Sequence, residues 1–174
     1  GAHVVSVLTE QRRFGGSLAD LDVVRKAIEL PILRKDFIID EYQIHEAKAM
    51  GADLILLIAA CLTPAEVYSY SQLANELGLE VLLELHDDEE LAHICSTVQF
   101  VGINNRSLKT FDVDVQRSLR MASAIPSQYI KVAESGIDDP AQVLLFKENG
   151  YQAFLIGENF MKNTDPGSAL GEFI

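Results

Sequence analysis

Seven short apolar segments recur along the 174-residue chain, and each is followed by a segment with helical periodicity. Strands are predicted at Val4–Leu8, Ile32–Lys35, Leu54–Ile58, Val81–Leu85, Phe100–Asn104, Ile130–Ala133 and Ala153–Ile156. Helices are predicted at about Ser17–Glu29, Asp40–Met50, Pro64–Leu77, Asp88–Cys95, Val113–Ala124, Pro140–Asn149 and Pro166–Phe173. Because the strands are apolar at nearly every position, the pattern favours a parallel sheet covered by helices on both faces.

The polar residues of these strands lie at their C-terminal ends, and this placement decides between an open sheet and a closed barrel. In a barrel all strand ends meet at one mouth, whereas in an open sheet most of them are too far apart to cooperate. Neither the dinucleotide fingerprint nor a Walker motif is present. We therefore expect an α/β fold of the (β/α)8 TIM-barrel type, with residues 1–174 forming a single domain. The polar residues concerned are Glu10, Lys35, Glu84, Asn104, Glu134 and Ser135.

Charge and cysteine content limit the classes of partner. The chain has 14 Lys and Arg against 26 Asp and Glu, a net charge of −12, which disfavours nucleic acid and anionic membrane surfaces as partners. Any anionic ligand must be bound by a local site. Cys61 and Cys95 do not have metal-ligand spacing, and no apolar run reaches the roughly 18 residues of a membrane span. We expect a cytoplasmic protein.

Five strand-end motifs, in order and at compatible spacing, are similar to those of indole-3-glycerol phosphate synthase. They are Leu33–Ile38, Leu82–His86, Gly102–Arg106, Val132–Gly136 and Phe154–Gly157. The resemblance implies strands 2–8 of the barrel and a carboxy-lyase of tryptophan biosynthesis. This reaction converts 1-(2-carboxyphenylamino)-1-deoxyribulose 5-phosphate, a phosphorylated small molecule, to indole-3-glycerol phosphate by ring closure, decarboxylation and dehydration. No cofactor or metal is implied.

The resemblance also implies a catalytic set. Lys35 corresponds to the general acid that activates the substrate carbonyl, although a Lys at a strand end could also be a solvated surface charge. Glu84 is the matching carboxylate for proton transfer during dehydration, or else one half of a structural ion pair. Asn104 and Glu134 resemble the residues that orient the hydroxyls and the leaving group, unless they cap strand ends. Ser135 is expected to hydrogen-bond within the same cluster.

Substrate binding is predicted first at two glycine loops. Gly136 and Gly157 leave backbone N–H groups unobstructed for phosphate, which would let an acidic chain bind an anion without side-chain charge. Glu158 beside Gly157 is compatible with this if its side chain points away. Arg106 either steers the substrate carboxylate or braces a loop.

An apolar pocket for the anthranilate ring is the other predicted binding element. By the resemblance, Phe14, Phe37 and Leu56 correspond to the family's apolar pocket for this ring, and a planar ring requires aromatic and aliphatic walls. Core packing is the alternative for Leu56.

The resemblance further implies a preceding helix and first strand, with a catalytic Glu and Lys and a phosphate-contacting Ser, that this sequence lacks. We expect the chain alone to have very low activity and to self-associate through exposed sheet edges. Two other functions stay open. One is another phosphate-binding barrel, an isomerase or aldolase, and the other is a non-catalytic fragment.

Overall fold

The computed structural model describes residues 1–107 and 112–174, which contain seven β-strands. The strands are β1 (Val5–Leu8), β2 (Ile32–Lys35), β3 (Leu54–Ile58), β4 (Glu80–Leu85), β5 (Phe100–Asn104), β6 (Ile130–Glu134) and β7 (Ala153–Leu155). The α-helices are α1 (Gln11–Phe14), α2 (Leu18–Ala27), α3 (Glu41–Ala49), α4 (Pro64–Glu76), α5 (Val115–Met121), α6 (Pro140–Glu148), α7 (Glu158–Met161) and α8 (Pro166–Phe173). Short 3-10 helices lie at Ala59–Cys61 and Asp88–His93.

The chain divides into two compact units. The first unit comprises Ala2–Glu84 and Ala92–Gln99, and the second comprises Gly1, Leu85–Leu91 and Phe100–Ile174. In the first unit β1, β2, β3 and β4 pair in that order, all in parallel. In the second unit β5, β6 and β7 do the same. The predicted parallel α/β fold is confirmed, and the single domain stays a prediction.

Side-chain caps explain where the helices begin. The Thr63 hydroxyl accepts from the backbone N–H of Glu66 while the Glu66 carboxylate accepts from the backbone N–H of Thr63, and Pro64 occupies the first turn. Asp139 and Gln142 form the same capping box on α6. Ser17 and Asp40 cap α2 and α3 through side chains that accept from the backbone N–H groups of Asp20 and Tyr42.

Three predicted helices are shorter or tighter than expected. The segment after β4 is a 3-10 helix over Asp88–His93 because the Glu90 carboxylate turns back to accept from the backbone N–H of His86, at 2.6 Å. Helix α2 ends at Ala27, where the guanidinium of Arg25 binds the carbonyls of the two residues 28 and 30 that lead into β2. Helix α5 begins only at Val115 because Val113 forms an antiparallel bridge with Arg106.

Strand boundaries differ from the prediction by one residue at four places: β1 lacks Val4, β4 adds Glu80, β6 adds Glu134 and β7 lacks Ile156. Helices α1 and α7 and the 3-10 helix Ala59–Cys61 were not predicted. Elements of three or four residues are too short to show a helical period.

Each unit has its own aliphatic core. All five residues of β3 are buried in the first unit, where Leu21, Ile44 and Val67 are buried on α2, α3 and α4. In the second unit the rings of Phe146 and Tyr151 meet edge to face, with centroids 5.5 Å apart. Every helix within residues 1–107 and 112–174 is too short or too polar to span a lipid bilayer.

Candidate functional site

The first unit contains an ion pair between two strand ends. The ammonium group of Lys35, the last residue of β2, lies 3.2 Å from Oε2 of Glu84 on β4. The Glu84 side chain is 2% exposed and that of Lys35 is 23% exposed, so the carboxylate is buried while the ammonium reaches solvent. An acid and a carboxylate in contact can pass a proton to or from a bound molecule. The structure thus brings Lys35 and Glu84 into contact, which also fits the structural ion pair named above as the alternative for Glu84, and their catalytic roles stay a prediction.

The two neighbours of Lys35 in sequence form a buried network on the other face of β2. The guanidinium of Arg34 contacts Asp36 Oδ2 at 3.0 Å and Glu46 Oε2 on α3 at 2.9 Å. It also donates to the backbone carbonyl of Gln43 at 2.9 Å, and the Thr9 hydroxyl donates to Asp36 Oδ2 at 2.6 Å. A buried guanidinium bound to several partners fixes the backbone that carries it. The network therefore fixes the backbone on both sides of Lys35.

Two aromatic rings stack near the C-terminal ends of β1 and β2. The rings of Phe14 and Phe37 lie nearly parallel, with an angle of 13° between planes and 5.8 Å between centroids. The guanidinium of Arg13 lies 5.5 Å from the Phe37 centroid. Nearly half of the Phe14 surface is exposed. The pair presents an aromatic surface accessible to solvent, as an aromatic ligand requires.

Glu10 caps the helix that carries Phe14. Its carboxylate accepts from the backbone N–H groups of Arg13 and Arg12, at 2.5 and 3.0 Å. The Arg13 N–H in particular lowers the pKa of Glu10 below its ordinary value. Glu10 thus has a structural role here.

Leu56 does not join this exposed surface. It lies in the middle of β3, pairs in register with Leu82 and is 1% exposed. Its burial favours core packing, the alternative that the sequence left open.

In the second unit, Asn104 and Glu134 are register partners at the ends of β5 and β6. The Asn104 side chain accepts from the backbone N–H of Arg106 at 2.9 Å, and its carbonyl accepts from the Arg117 guanidinium at 3.0 Å. Glu134 is 1% exposed. The structure places Asn104 and Glu134 side by side, and their roles toward a substrate stay a prediction. The Asn104 side chain also caps the chain after β5, which is the structural alternative that the sequence left open for this residue.

A turn with two consecutive left-handed residues follows β6. Ser135 has a φ of 64° and Gly136 a φ of 70°. Among residues 1–107 and 112–174, Ser135 is the only residue other than glycine with a positive φ. A Cβ atom on Gly136 would lie 2.2 Å from Cγ1 of Val113, so this position accepts only glycine without rearrangement.

Arg106 and Glu158 pair with each other. The guanidinium of Arg106 lies 2.5 Å from Oε2 of Glu158, whose side chain is largely exposed. This pairing supports the loop-bracing alternative for Arg106. Gly157 precedes α7 with a φ of −122°, and a Cβ atom there would meet nothing within 4 Å. Unlike Gly136, Gly157 is therefore not required by local sterics.

Two groups of supporting residues were not predicted from the sequence. One is the Arg34 and Asp36 network, and the other is Asn105, a fully buried residue that follows β5. Two features of the sequence could have pointed to them. Charged residues lie on both sides of Lys35 next to an apolar strand, and two asparagines follow one another at positions 104 and 105. The described residues contain no group of three or more His, Cys, Asp and Glu side chains that could hold a metal ion.

Comparison with known proteins agrees with this geometry. The family model of indole-3-glycerol phosphate synthase matches residues 1–173. Proteins of that name from Bacteroides thetaiotaomicron and Paenarthrobacter aurescens are 49% and 51% identical to the chain, over 100% and 99% of its length. The chain spans 67% and 64% of these two relatives, about two thirds of their length.

Solved structures with little sequence similarity share the fold. The 3-hexulose-6-phosphate synthase of Salmonella typhimurium superposes with a TM-score of 0.78 at 13% identity, covering 97% of this chain and 84% of that one. The protein KGPDC from Streptococcus mutans gives a TM-score of 0.73 at 14% identity, covering 99% and 83%. These neighbours are of the TIM-barrel type and support the fold alone. Because the family model matches residues 1–173, almost the whole chain, the chain belongs to the indole-3-glycerol phosphate synthase family.

Proposed function

We propose that the gene product containing this chain converts 1-(2-carboxyphenylamino)-1-deoxyribulose 5-phosphate to indole-3-glycerol phosphate, carbon dioxide and water. The observation that carries the proposal is the contact between Lys35 and the buried Glu84 carboxylate at two strand ends. It provides a proton donor and a proton acceptor, which ring closure and dehydration both need. Family membership supports the same reaction.

Lys35 is the general acid of ring closure in this proposal. Its ammonium group protonates the substrate carbonyl oxygen while the carboxylated ring carbon forms the new carbon–carbon bond. Loss of carbon dioxide from that carbon returns the bonding electrons to the ring. The carbonyl oxygen has then become a hydroxyl, which leaves as water in the last step.

Glu84 takes part in the proton transfers of dehydration. Its buried carboxylate already contacts the Lys35 ammonium, so a proton can pass between the pair and the substrate without bulk water. Asn104 and Glu134 orient the hydroxyls and the leaving group, and Ser135 hydrogen-bonds in the same cluster. Their neighbouring strand ends support this assignment.

Phosphate and ring binding complete the proposal. The turn at Gly136 and the loop at Gly157 bind the phosphate through backbone N–H groups, and Glu158 is held to one side by Arg106. The exposed stack of Phe14 and Phe37 binds the anthranilate ring. Leu56 contributes as a buried support for this pocket and not as its surface.

The finer structural and cellular assignments belong to the same proposal. The seven strands correspond to strands 2–8 of a (β/α)8 barrel, as the structural neighbours support. A cytoplasmic location follows from the substrate, because a charged phosphorylated metabolite is retained in the compartment that makes it. Self-association of the 174-residue chain stays a prediction, which analytical ultracentrifugation can check.

The test is to incubate the purified full-length protein with the carboxyphenylamino substrate and follow the product by mass spectrometry. We expect a product lighter by one carbon dioxide and one water. Lys35→Met should slow its formation by roughly two powers of ten or more, whereas Lys48→Met should not, because Lys48 is an exposed lysine that donates to the Gly78 carbonyl at the surface. Absence of product from the wild-type protein, or isomerisation of phosphoribosylanthranilate in its place, would sink the proposal.

A further inference from the structure

Asn105 is a fully buried polar residue to which the proposed reaction assigns no role. It follows β5 directly, next to Asn104, and none of its surface is accessible to solvent. A buried amide is tolerated only where its donors and acceptors find partners. The identity of those partners therefore indicates what Asn105 is for.

The side chain of Asn105 joins α5 to the turn after β6. Its Nδ2 donates to the backbone carbonyl of Ser135 at 3.1 Å. Its Oδ1 accepts from the Ser118 hydroxyl at 2.8 Å and from the Ser118 backbone N–H at 3.3 Å. The arrangement needs a donor and an acceptor on one short planar group, and asparagine offers both at neutral pH without having to take up a proton.

The backbone of Asn105 strengthens the same connection. Its N–H donates to the carbonyl of Glu134 at 2.9 Å, and its carbonyl accepts from the N–H of Asp114 at 2.9 Å. Asn105 thus binds the carbonyls of both residue 134 and residue 135. These two carbonyls belong to the peptide units on either side of Ser135, so the two bonds hold Ser135 from both sides.

Ser135 and Gly136 form the left-handed turn that follows β6. Ser135 has a φ of 64°, a region that side chains other than glycine disfavour, and Gly136 follows with a φ of 70°. Residues kept in such conformations need surrounding structure to hold them, and they concentrate at functional sites. The hydrogen bond from Asn105 to the Ser135 carbonyl is one contact that stabilises this conformation.

The anchor extends further into the core of the second unit. The hydroxyl of Tyr151 donates to the backbone carbonyl of Ser118 at 2.7 Å, and Tyr151 is itself buried. Burial raises the pKa of Tyr151 to about 12, so it remains a neutral donor at physiological pH. A continuous path of hydrogen bonds therefore runs from Tyr151 through Ser118 and Asn105 to Ser135.

We propose that Asn105 is a positioning residue that fixes the Ser135–Gly136 turn and, through it, the orientation of Glu134 and Ser135 toward the substrate. The inference rests on the proposed function, because it names a residue that acts through that site. Asn105 does not itself touch the substrate. Its removal should change catalysis in protein that is still folded.

The experiment uses Asn105→Asp in the full-length protein. This change keeps the shape of the side chain but replaces the Nδ2 donor with an oxygen that, when ionised, repels the Ser135 carbonyl. At neutral pH we expect kcat/KM to fall roughly tenfold or more, the scale of effect that a small misplacement of catalytic groups produces. Asn149→Asp is the matched control, because Asn149 Nδ2 donates to the Leu145 carbonyl at an exposed helix end, and its kinetics should be those of the wild type.

A pH profile separates positioning from simple structural support. Burial favours the protonated form of Asp at position 105, and a protonated carboxyl can again donate to the Ser135 carbonyl. The ratio of variant to wild-type kcat/KM should therefore rise as the pH falls, at temperatures where both proteins are fully folded. A purely structural role would lower the unfolding temperature and leave kcat/KM of folded protein unchanged.

Three outcomes would overturn the inference. The first is wild-type kcat and KM in folded Asn105→Asp even at alkaline pH, where the new carboxyl is ionised, and the second is a loss that does not diminish as the pH falls. If Asn105→Asp does not fold, Ser118→Ala replaces it, since this change removes the hydroxyl donor to Asn105 Oδ1. The third outcome is then an unchanged kcat/KM in Ser118→Ala. An inactive wild-type protein would instead refute the proposed function, so the two failures are distinguishable.

Discussion

Replacing Gly136 with alanine should destabilise the protein through two separate effects that the structure identifies. The first is the φ of 70°, which costs an L-residue roughly 1–2 kcal/mol. The second is the new Cβ, which would lie 2.2 Å from Cγ1 of Val113, and overpacking of this kind costs about 1–3 kcal/mol. A smaller unfolded-state entropy offsets about 0.4–1 kcal/mol of this cost. The net loss in the free energy of unfolding is therefore about 1–4.5 kcal/mol.

Gly157→Ala is the matched control, because both glycines belong to the proposed phosphate loops. Gly157 has a φ of −122°, and its Cβ would meet nothing within 4 Å. We expect this variant to be unchanged or stabilised by up to about 1 kcal/mol. The two variants apply the same chemical change in opposite steric surroundings.

The assay is urea unfolding of the full-length protein, with the m-value checked for constancy between variants. Val113→Ala removes the methyl group that the new Cβ would meet. Added to Gly136→Ala, it should therefore restore the stability lost to the steric clash, while the stability lost to the positive φ stays lost. Val113→Ala alone should cost less than a substitution in the core because Val113 is 42% exposed. Equal stability of Gly136→Ala and Gly157→Ala would refute the reasoning, and so would a double variant whose losses merely add.

Three further predictions concern the first unit. Lys35→Ala should lower turnover by roughly two powers of ten or more in a steady-state assay, and wild-type turnover would return Lys35 to a surface role. Arg34→Met should cost roughly 3–5 kcal/mol in urea unfolding, because it leaves the carboxylates of Asp36 and Glu46 without their shared partner; a loss well below that range would contradict the network. The backbone N–H of Thr63 lowers the pKa of Glu66 below 4.5, so the stability this carboxylate adds is present above pH 4.5 and is lost as the pH falls through the lower folded value. The unfolding-temperature gap between the wild type and Glu66→Gln should therefore narrow on acidification, and a constant gap would contradict this assignment.

The regular elements were predictable because their signals are local. The predicted strands Ile32–Lys35, Leu54–Ile58 and Phe100–Asn104 match the structure residue for residue. Apolar runs bounded by polar ends and capping residues are sufficient to identify such segments. Helix α1 was missed because its single turn depends on one cap, the Glu10 carboxylate.

The site was predictable only in part, because much of it depends on contacts distant in sequence. Side-chain alternation placed Lys35 and Glu84 on matching faces of their strands, and the structure brings them together across 49 positions. Neither the left-handed conformation of Ser135 nor the bond to it from Asn105, 30 positions away, leaves a periodic signal. A buried amide in a sequence resembles any loop asparagine until its partners are known.

The supporting networks of the two units follow one rule of strand geometry. Successive residues of a strand point to opposite faces, so the neighbours of an inward-facing polar residue face the helix layer. Arg34 beside Lys35 accordingly binds α3, and Asn105 beside Asn104 binds α5. Substitution at either outward position should therefore lower both stability and activity.

Substitution at an inward position should have a different effect. Lys35 contributes chemistry more than packing, and polar residues held at a site for function are often not optimal for stability. Its replacement by methionine takes the ammonium partner from one buried carboxylate, that of Glu84, whereas Arg34→Met takes the shared partner from two carboxylates and a donor from the Gln43 carbonyl. Lys35→Met should therefore lower activity with a smaller loss of stability than Arg34→Met causes. Measuring the free energy of unfolding and kcat on both variants tests whether Lys35 contributes mainly to activity and Arg34 mainly to stability.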